Sequence, residues 1–442
     1  MLFDNKALRK LIIPLILEQA LHVTIGMADT IMVASCGEAA VSGIALVDNI
    51  NNLLIQIFTA LATGGAVVTA QYMGKKDFES GCASANQLVM TVAGISTLIA
   101  VVALILRSWV LSTVFGEIDA DVMQNAMIYF ALSAVSYLFL GLYNSGAALF
   151  RSMGNSKLSL YTSMVMNFMN ICGNALFIFG FKMGVFGAGL ATLLARIAAA
   201  VFILWKLRNK NLPIHLENVF PFSFQWPMVK NILRIGVPNG LENGVFQIGK
   251  ILVASMVSTF GTAHIAANAV ATNMSGVQVL PAAAIGTAMI TVVGQCVGAK
   301  EYEQAKKNAN KLMIAAMGLT AVISLITCIF VRTIVGFYNL SPEGTEIAIK
   351  MMLIHGIFGP LLWPWAYTFP NALRAANDAK YTMRVSICTM WLFRMGLVYF
   401  FGAYLGLGAI GNYISMVFDW AARAALFIPR FYRGKWQKLK GV

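Results

Sequence analysis

An all-α polytopic membrane protein, with twelve transmembrane helices in two six-helix lobes related by a parallel internal repeat, is what this 442-residue sequence predicts. Three observations predict it. Hydrophobic residues make up 59% of the chain and charged residues 11%, with a mean hydropathy of +0.74, whereas an ordinary soluble domain carries about 25% charge. The apolar residues fall in blocks of about 20 or more, long enough to cross a hydrocarbon core of about 30 Å as a helix. Motifs of the first half recur in the second at an offset of 223 or 224 residues. At about 37 residues per helix and loop, the chain holds roughly twelve spans. Such a composition excludes a single-core soluble enzyme and excludes disorder.

The first six apolar blocks run over 11–35, 43–72, 83–106, 122–150, 158–181 and 184–208. The first follows a basic N-terminus, but its apolar run continues through Glu18, His22 and Asp29. A cleaved signal has a shorter, cleaner apolar core and a small-residue cleavage site, so this block reads as an uncleaved first span. Charges mark the gaps: Lys75 and Lys76 after the second block, Arg107 after the third, Arg151 to Lys157 after the fourth and Lys182 after the fifth. A polar stretch with Pro213, Pro221 and Pro227 separates these from six further blocks at 230–259, 263–297, 307–335, 345–373, 381–405 and 407–431. The expected organisation is an N-terminal lobe (1–208), a cytoplasmic linker (209–229), a C-terminal lobe (230–432) and a cytoplasmic tail (433–442).

The repeat joins the two lobes. Pro14-x-x-x-Glu18 recurs as Pro238-x-x-x-Glu242, and Gln71-Tyr-Met-Gly74 as Gln295-Cys-Val-Gly298. Near the fourth span, Arg151 and Lys157 recur as Arg374 and Lys380. Six is an even number of helices, so both halves start on the same side of the membrane and the repeat is parallel, as in transporters whose halves rock around a central cavity. Pro14 and Pro238 each remove a backbone donor early in a helix and are expected hinges.

Basic residues give the topology. With loops numbered alternately from the N-terminus, one side holds twenty-four Lys and Arg and the other four, Arg107, Lys182, Arg332 and Lys350. Cytoplasmic loops collect such residues, so both termini are expected in the cytoplasm of a plasma (inner) membrane. The same bias explains the formal charge of +14. No basic stripe interleaved with stacking aromatics appears, so nucleic acid is not an expected partner. The cysteines, Cys36, Cys82, Cys172, Cys296, Cys328 and Cys388, show no CxxC spacing and imply neither a disulfide frame nor a zinc site.

Nine charged residues fall inside spans: Glu18, Asp29, Asp48, Arg196, Glu242, Lys250, Arg394, Asp419 and Arg423. A charge at the bilayer centre costs roughly 2.5–3.5 kcal/mol, so each should face protein or water. Asp29 lies eleven positions after Glu18, which leaves the two about 20° apart on a helix, with His22 about 40° from Glu18. The three form one polar stripe, a lining for a cavity or proton path; the plainer reading puts Glu18 at the interface and His22 in the core. Asn170 and Asn174 share a face at i,i+4, to hydrogen-bond a carboxyl or a neighbouring helix. Arg196 follows Thr192 by one turn and has Asp29 or Asp48 as prospective partners. Asp419 and Arg423, also i,i+4, most simply pair with each other. Lys250 stands one turn from Phe246 without a helical partner, and Arg394 aligns by the repeat with Asn170. The second lobe is the more basic. The 24 Met and the 49 aromatics suit either an adaptable cavity or ordinary packing.

Several segments together resemble the multidrug and toxic compound extrusion (MATE) transporters, over nearly the whole chain. They are Met27-Ala-Asp29-Thr-Ile-Met, Ala70-Gln71-Tyr-Met-Gly74-Lys, Leu149-Phe-Arg151-Ser-Met-Gly154-Asn, Asn170-Ile-Cys-Gly-Asn174, Gly187-Ala-Gly-Leu-Ala-Thr192, Ile235-Gly-Val-Pro238 and Gly294-Gln295-Cys-Val-Gly298-Ala-Lys. The resemblance, to both the DinF-like and NorM-like branches, implies a secondary active antiporter that exports organic cations or amphiphilic drugs in exchange for H⁺ or Na⁺ by rocking of two lobes. It implies small-molecule substrates and membrane lipids as partners, a monomer, and no cofactor beyond the coupling ion. In the DinF-like branch a cation-binding aspartate stands where Asp29 does, with a tyrosine, an Asn-x-x-x-Asp pair and a threonine around it. The matching residues are Tyr129, Asn170, Asn174 and Thr192. Asn174 departs from that pattern's Asp, and one fewer carboxylate weakens a Na⁺ site near Asp29. Glu18, His22, Asp48, Arg196, Glu242 and Lys250 form a second rank of candidates, Glu242 because the NorM-like branch uses carboxylates near there.

Two other functions compete. A lipid-linked saccharide flippase of the same superfamily should show a strongly basic cavity and often more helices, whereas these spans hold five acids and four bases. A non-transporting receptor or scaffold fits the composition but not buried carboxylates in a repeat. An intramembrane enzyme needs a set such as HExxH or GxSxG, and the sequence has neither.

Overall fold

The protein, seen in a computed structural model, is described over residues 3–116, 119–217, 224–439 and 441, without the side chains of Ile25, Met27, Ala28 and Thr30. Pro221 of the linker, Lys440 of the tail, and the family-like side chains of Met27, Ala28 and Thr30 lie outside the described residues. Twelve long helices stand where the twelve spans are expected. They are α1 (Asn5–Ala34), α2 (Glu38–Lys75), α3 (Phe78–Phe115), α4 (Ala120–Ser152), α5 (Ser156–Gly180), α6 (Gly184–Leu207), α7 (Trp226–Ser258), α8 (Thr262–Gly298), α9 (Tyr302–Ile329), α10 (Pro342–Ala375), α11 (Ala379–Tyr404) and α12 (Ala409–Tyr432). Among the described residues, nine of these helices are long and apolar enough to cross a membrane by length and composition. The other three, α1, α7 and α12, carry six of the nine in-span charges.

Helices α2 and α3 run several residues past their apolar blocks at both ends, where polar residues and caps continue the helix. Asp77 accepts from Ser80 N (3.1 Å) and Asn155 from Leu158 N (3.4 Å), satisfying first-turn donors of α3 and α5. Lys76 closes α2 in the left-handed conformation at φ 60°.

The chain divides into two compact units, Ala7–Gly240 and Leu241–Val442, the second including the residues up to Lys6. The division falls inside α7 at Gly240, beyond the linker. In the first unit α4 packs on α2, α3 and α6, and α5 on α6. Small residues permit this: a Cβ at Gly43 would stand 2.9 Å from the Ala126 nitrogen and the Val122 oxygen, backbone that cannot give way. In the second unit α8 packs on α9 and α10, and α10 on α12.

The repeat is written into the backbone. Positive φ occurs at Gly37 and Gly261, Lys76 and Lys300, Lys182 and Gly406, and Gly184 and Gly408, each pair 224 residues apart. Gly116 with Asn339, and Gly154 with Asn377, keep an offset of 223. The π-helical turn that ends α5, Ala175–Gly180, recurs as Tyr399–Tyr404 at the end of α11. Turns that need a left-handed residue have been kept in both halves, even where the residue type changed.

Candidate functional site

Helices α1, α2, α4, α5 and α6 enclose a cavity of about 470 Å³ in the N-terminal unit. Its lining includes His22, Asp29, Asp48, Tyr129, Asn170, Asn174, Thr192 and Arg196. Asp29 is half-buried on α1, while Asn170 and Asn174 are buried on α5. Asn174 Nδ2 donates to Asp29 Oδ1 over 2.7 Å. The Asn170 amide, in the orientation that satisfies its neighbours, donates to both Asp29 oxygens at 2.7 and 3.0 Å and accepts from Thr192 Oγ1 at 3.1 Å. The i,i+4 spacing aims both amides at one carboxylate. Tyr129 stands among Asp48, Asp29, Arg196 and Thr192.

The partner of Arg196, which the sequence leaves open, is a hydroxyl. Among the described residues Arg196 makes no ion pair with Asp29 or Asp48; its Nη1 donates to Ser136 Oγ at 2.6 Å instead. It acts on both carboxylates through space. Asp48 accepts from Asn51 Nδ2 at 3.1 Å, and Tyr137 Oη donates to Asn51 Oδ1 at 2.8 Å. Amide N–H groups favour the charged form of such a carboxylate but supply no counter-ion, a place that a mobile cation can take.

The polar stripe on α1 divides. His22 and Asp29 line the cavity, but Glu18 does not. It is buried against Ser159, whose Oγ donates at 2.9 and 3.0 Å, and against Arg151 Nη1 at 3.5 Å. Glu242 in the second unit is held the same way, by Arg374 Nη2 at 2.7 Å and Ser386 Oγ at 2.6 Å. The two repeated motifs, Pro-x-x-x-Glu and the arginine in the last turn of the fourth helix, are therefore halves of one salt bridge in each lobe. Lys250 is exposed on α7 and belongs, like Glu242, to the second unit. Asp419 and Arg423 pair with each other at 3.0 Å.

Asn51, Ser136, Tyr137 and Asn144 were not among the sequence candidates. Asn51 stands three residues after Asp48, and Tyr137 two turns after Tyr129, spacings that place them on the same faces. Cys82, His215 and Glu217 also come together, with Cys82 Sγ 3.7 Å from His215 Nδ1. The His215 N–H donates to Cys82 Sγ at 3.4 Å, so the contact ties the linker to the start of α3.

The MatE family model matches residues 14–176 and 238–400, one copy in each half, themselves 224 residues apart. The chain is 25% identical to the uncharacterised transporter YisQ of Bacillus subtilis (strain 168), over 96% of this chain and 93% of that one. It is also 25% identical to the probable multidrug resistance protein NorM of Thermotoga maritima, over 98% and 93%. In fold it is similar to a crystal structure of MATE in the bent conformation, with a TM-score of 0.90 at 19% identity, covering 98% of this chain and 96% of that one. A MOP superfamily transporter from Pyrococcus furiosus gives a TM-score of 0.89 at 20% identity, covering 98% and 97%. With a twelve-helix, two-unit fold and a matching family model in each half, the chain belongs to the MATE family of multi-pass membrane transporters.

Proposed function

We propose that the protein is a secondary active antiporter that exports organic cations and other amphiphilic toxins in exchange for H⁺ or Na⁺, and that it carries out no enzymatic reaction. Both termini face the cytoplasm of the plasma (inner) membrane in this reading, supported by the twenty-four to four distribution of basic residues. The observation that carries it is Asp29, a carboxylate in a cavity, held by two amides and without an ion pair among the described residues. A coupling cation and a cationic substrate both gain by neutralising it, so they compete for one element and drive exchange.

The amides also bear on which cation is used. Both present N–H to Asp29, an arrangement for a bare carboxylate. A proton on Asp29 needs one amide to turn its oxygen inward. Na⁺ needs several oxygens at once, from Asp29, from both amides turned round, and from Thr192 or Tyr129. Asn174 Oδ1 is buried without a hydrogen-bond partner and is available for that role. The two lobes then rock about the linker, with Pro14 and Pro238 as hinges inside α1 and α7. Purified protein in liposomes, loaded with a cationic dye such as ethidium and given first a pH gradient and then a Na⁺ gradient, tests the proposal. Gradient-driven dye movement supports antiport, and dye movement indifferent to both gradients refutes it.

A further inference from the structure

The repeat allows the lobes to be compared residue for residue, and where the first holds its carboxylate site the second has the opposite charge. At the 224-residue offset Asp29 corresponds to Val253, Gly26 to Lys250, His22 to Phe246 and Asn170 to Arg394. We propose that the C-terminal lobe contains an oxyanion site between Lys250 and Arg394, which takes the carboxylate, sulfonate or phosphate group of an amphiphile.

Arg394 carries the argument. It is only 7% exposed, its Nε has no hydrogen-bond partner, and among the described residues it makes no ion pair. The nearby carboxylates are each paired with another arginine through one oxygen, Glu242 with Arg374 and Asp419 with Arg423, the latter guanidinium also lying 5.8 Å from the Phe246 centroid; their second oxygens, Glu242 Oε2 and Asp419 Oδ2, make no hydrogen bond among the described residues. Pairing these off leaves Lys250 and Arg394 as uncompensated cations. Both lie 5.9 Å from the centroid of the same ring, Phe246, and each repels the other. Two like charges kept together at an apolar ring, one of them buried, are a costly arrangement unless an anion joins them.

The backbone at Arg394 is specialised as well. Between Asn377 and Tyr399 the repeat offset passes from 223 back to 224, so the second lobe has gained one residue there. The π-helical turn Met390–Met395 absorbs it, the first lobe has no such turn at the corresponding place, and Arg394 sits within it. Such turns re-aim side chains and recur at functional sites. Gly249 of α7 faces this turn, its Cα side against the flexible end of the Met390 side chain. Phe246 and Tyr367 meet edge to face at 5.7 Å and offer an apolar surface for the rest of the ligand.

The test is equilibrium titration of the purified protein in a neutral maltoside detergent, with no gradient, so the outcome is independent of which cation Asp29 couples. The probes are taurocholate, dihexanoyl phosphatidylglycerol and, as a neutral control, dihexanoyl phosphatidylcholine. The site is upheld if at least one anionic probe binds with one site per chain, and if Arg394→Gln and Lys250→Gln each weaken it by about tenfold or more while Arg394→Lys and Lys250→Arg largely preserve it. Binding of phosphatidylglycerol alone assigns the site to a lipid headgroup; binding of taurocholate assigns it to soluble amphiphiles. Lys250→Gln, at an exposed position, serves as the variant that folds if Arg394→Gln does not. Absence of binding by both anions, or binding that Lys250→Gln leaves unchanged, overturns the proposal.

Discussion

Asn174 and Asp29 are joined by a 2.7 Å hydrogen bond that ties α5 to α1 across 145 residues of sequence. The residue that looks like a departure from the family pattern is thus one of the two amides in direct contact with the expected cation ligand. Replacing its amide by a carboxylate adds an anionic oxygen where a hard cation would sit. Asn174→Asp should therefore lower the Na⁺ concentration for half-maximal transport by about tenfold. Efflux from proteoliposomes over a Na⁺ series measures this, and an unchanged Na⁺ dependence would remove Asn174 from the ion site.

The Glu18–Arg151 and Glu242–Arg374 pairs predict a graded loss of stability. Glu242 lies 2.7 Å from an arginine whose side chain is 10% exposed, whereas Glu18 lies 3.5 Å from one that is 19% exposed. Breaking a buried pair costs about 3–5 kcal/mol, and a looser, wetter pair about 1–3 kcal/mol. Glu242→Gln should consequently lower the melting temperature in detergent more than Glu18→Gln does. Equal, negligible shifts would show that neither pair holds its helices.

Topology gives a third expectation. A reporter fused after the C-terminus, or inserted in the 209–229 linker, should be cytoplasmic, because Lys and Arg are so strongly biased to that side. A periplasmic signal from either fusion would reverse the assignment.

Much of the fold was legible because its causes are local. Apolar runs locate each helix, and the 224-residue recurrence of Pro14 and Glu18 locates the second lobe before any contact is known. Helix ends were less legible, since caps such as Asp77 and Asn155 extend α3 and α5 beyond the apolar part. Partnerships were the least legible. Periodicity puts Glu18, His22 and Asp29 on one face, but it does not show that Arg151 and Ser159 draw Glu18 out of the cavity. For Arg196 the sequence offers Asp29 or Asp48 without deciding between them, and its hydrogen bond goes to Ser136 on α4 instead. A side chain's partner depends on what the neighbouring helix presents, which the residue's own helix does not encode.

In the proposed antiport Asp29 couples ion binding to export. Asp29→Asn keeps the shape and hydrogen bonding of a neutralised side chain but cannot cycle between charged and neutral forms. The decisive measurement is ethidium efflux from proteoliposomes under an imposed pH or Na⁺ gradient, with wild-type protein and Asp29→Asn protein matched for melting temperature. The variant is expected to fold, with gradient-driven efflux reduced to the protein-free background. Efflux by well-folded Asp29→Asn protein at the wild-type rate would contradict it.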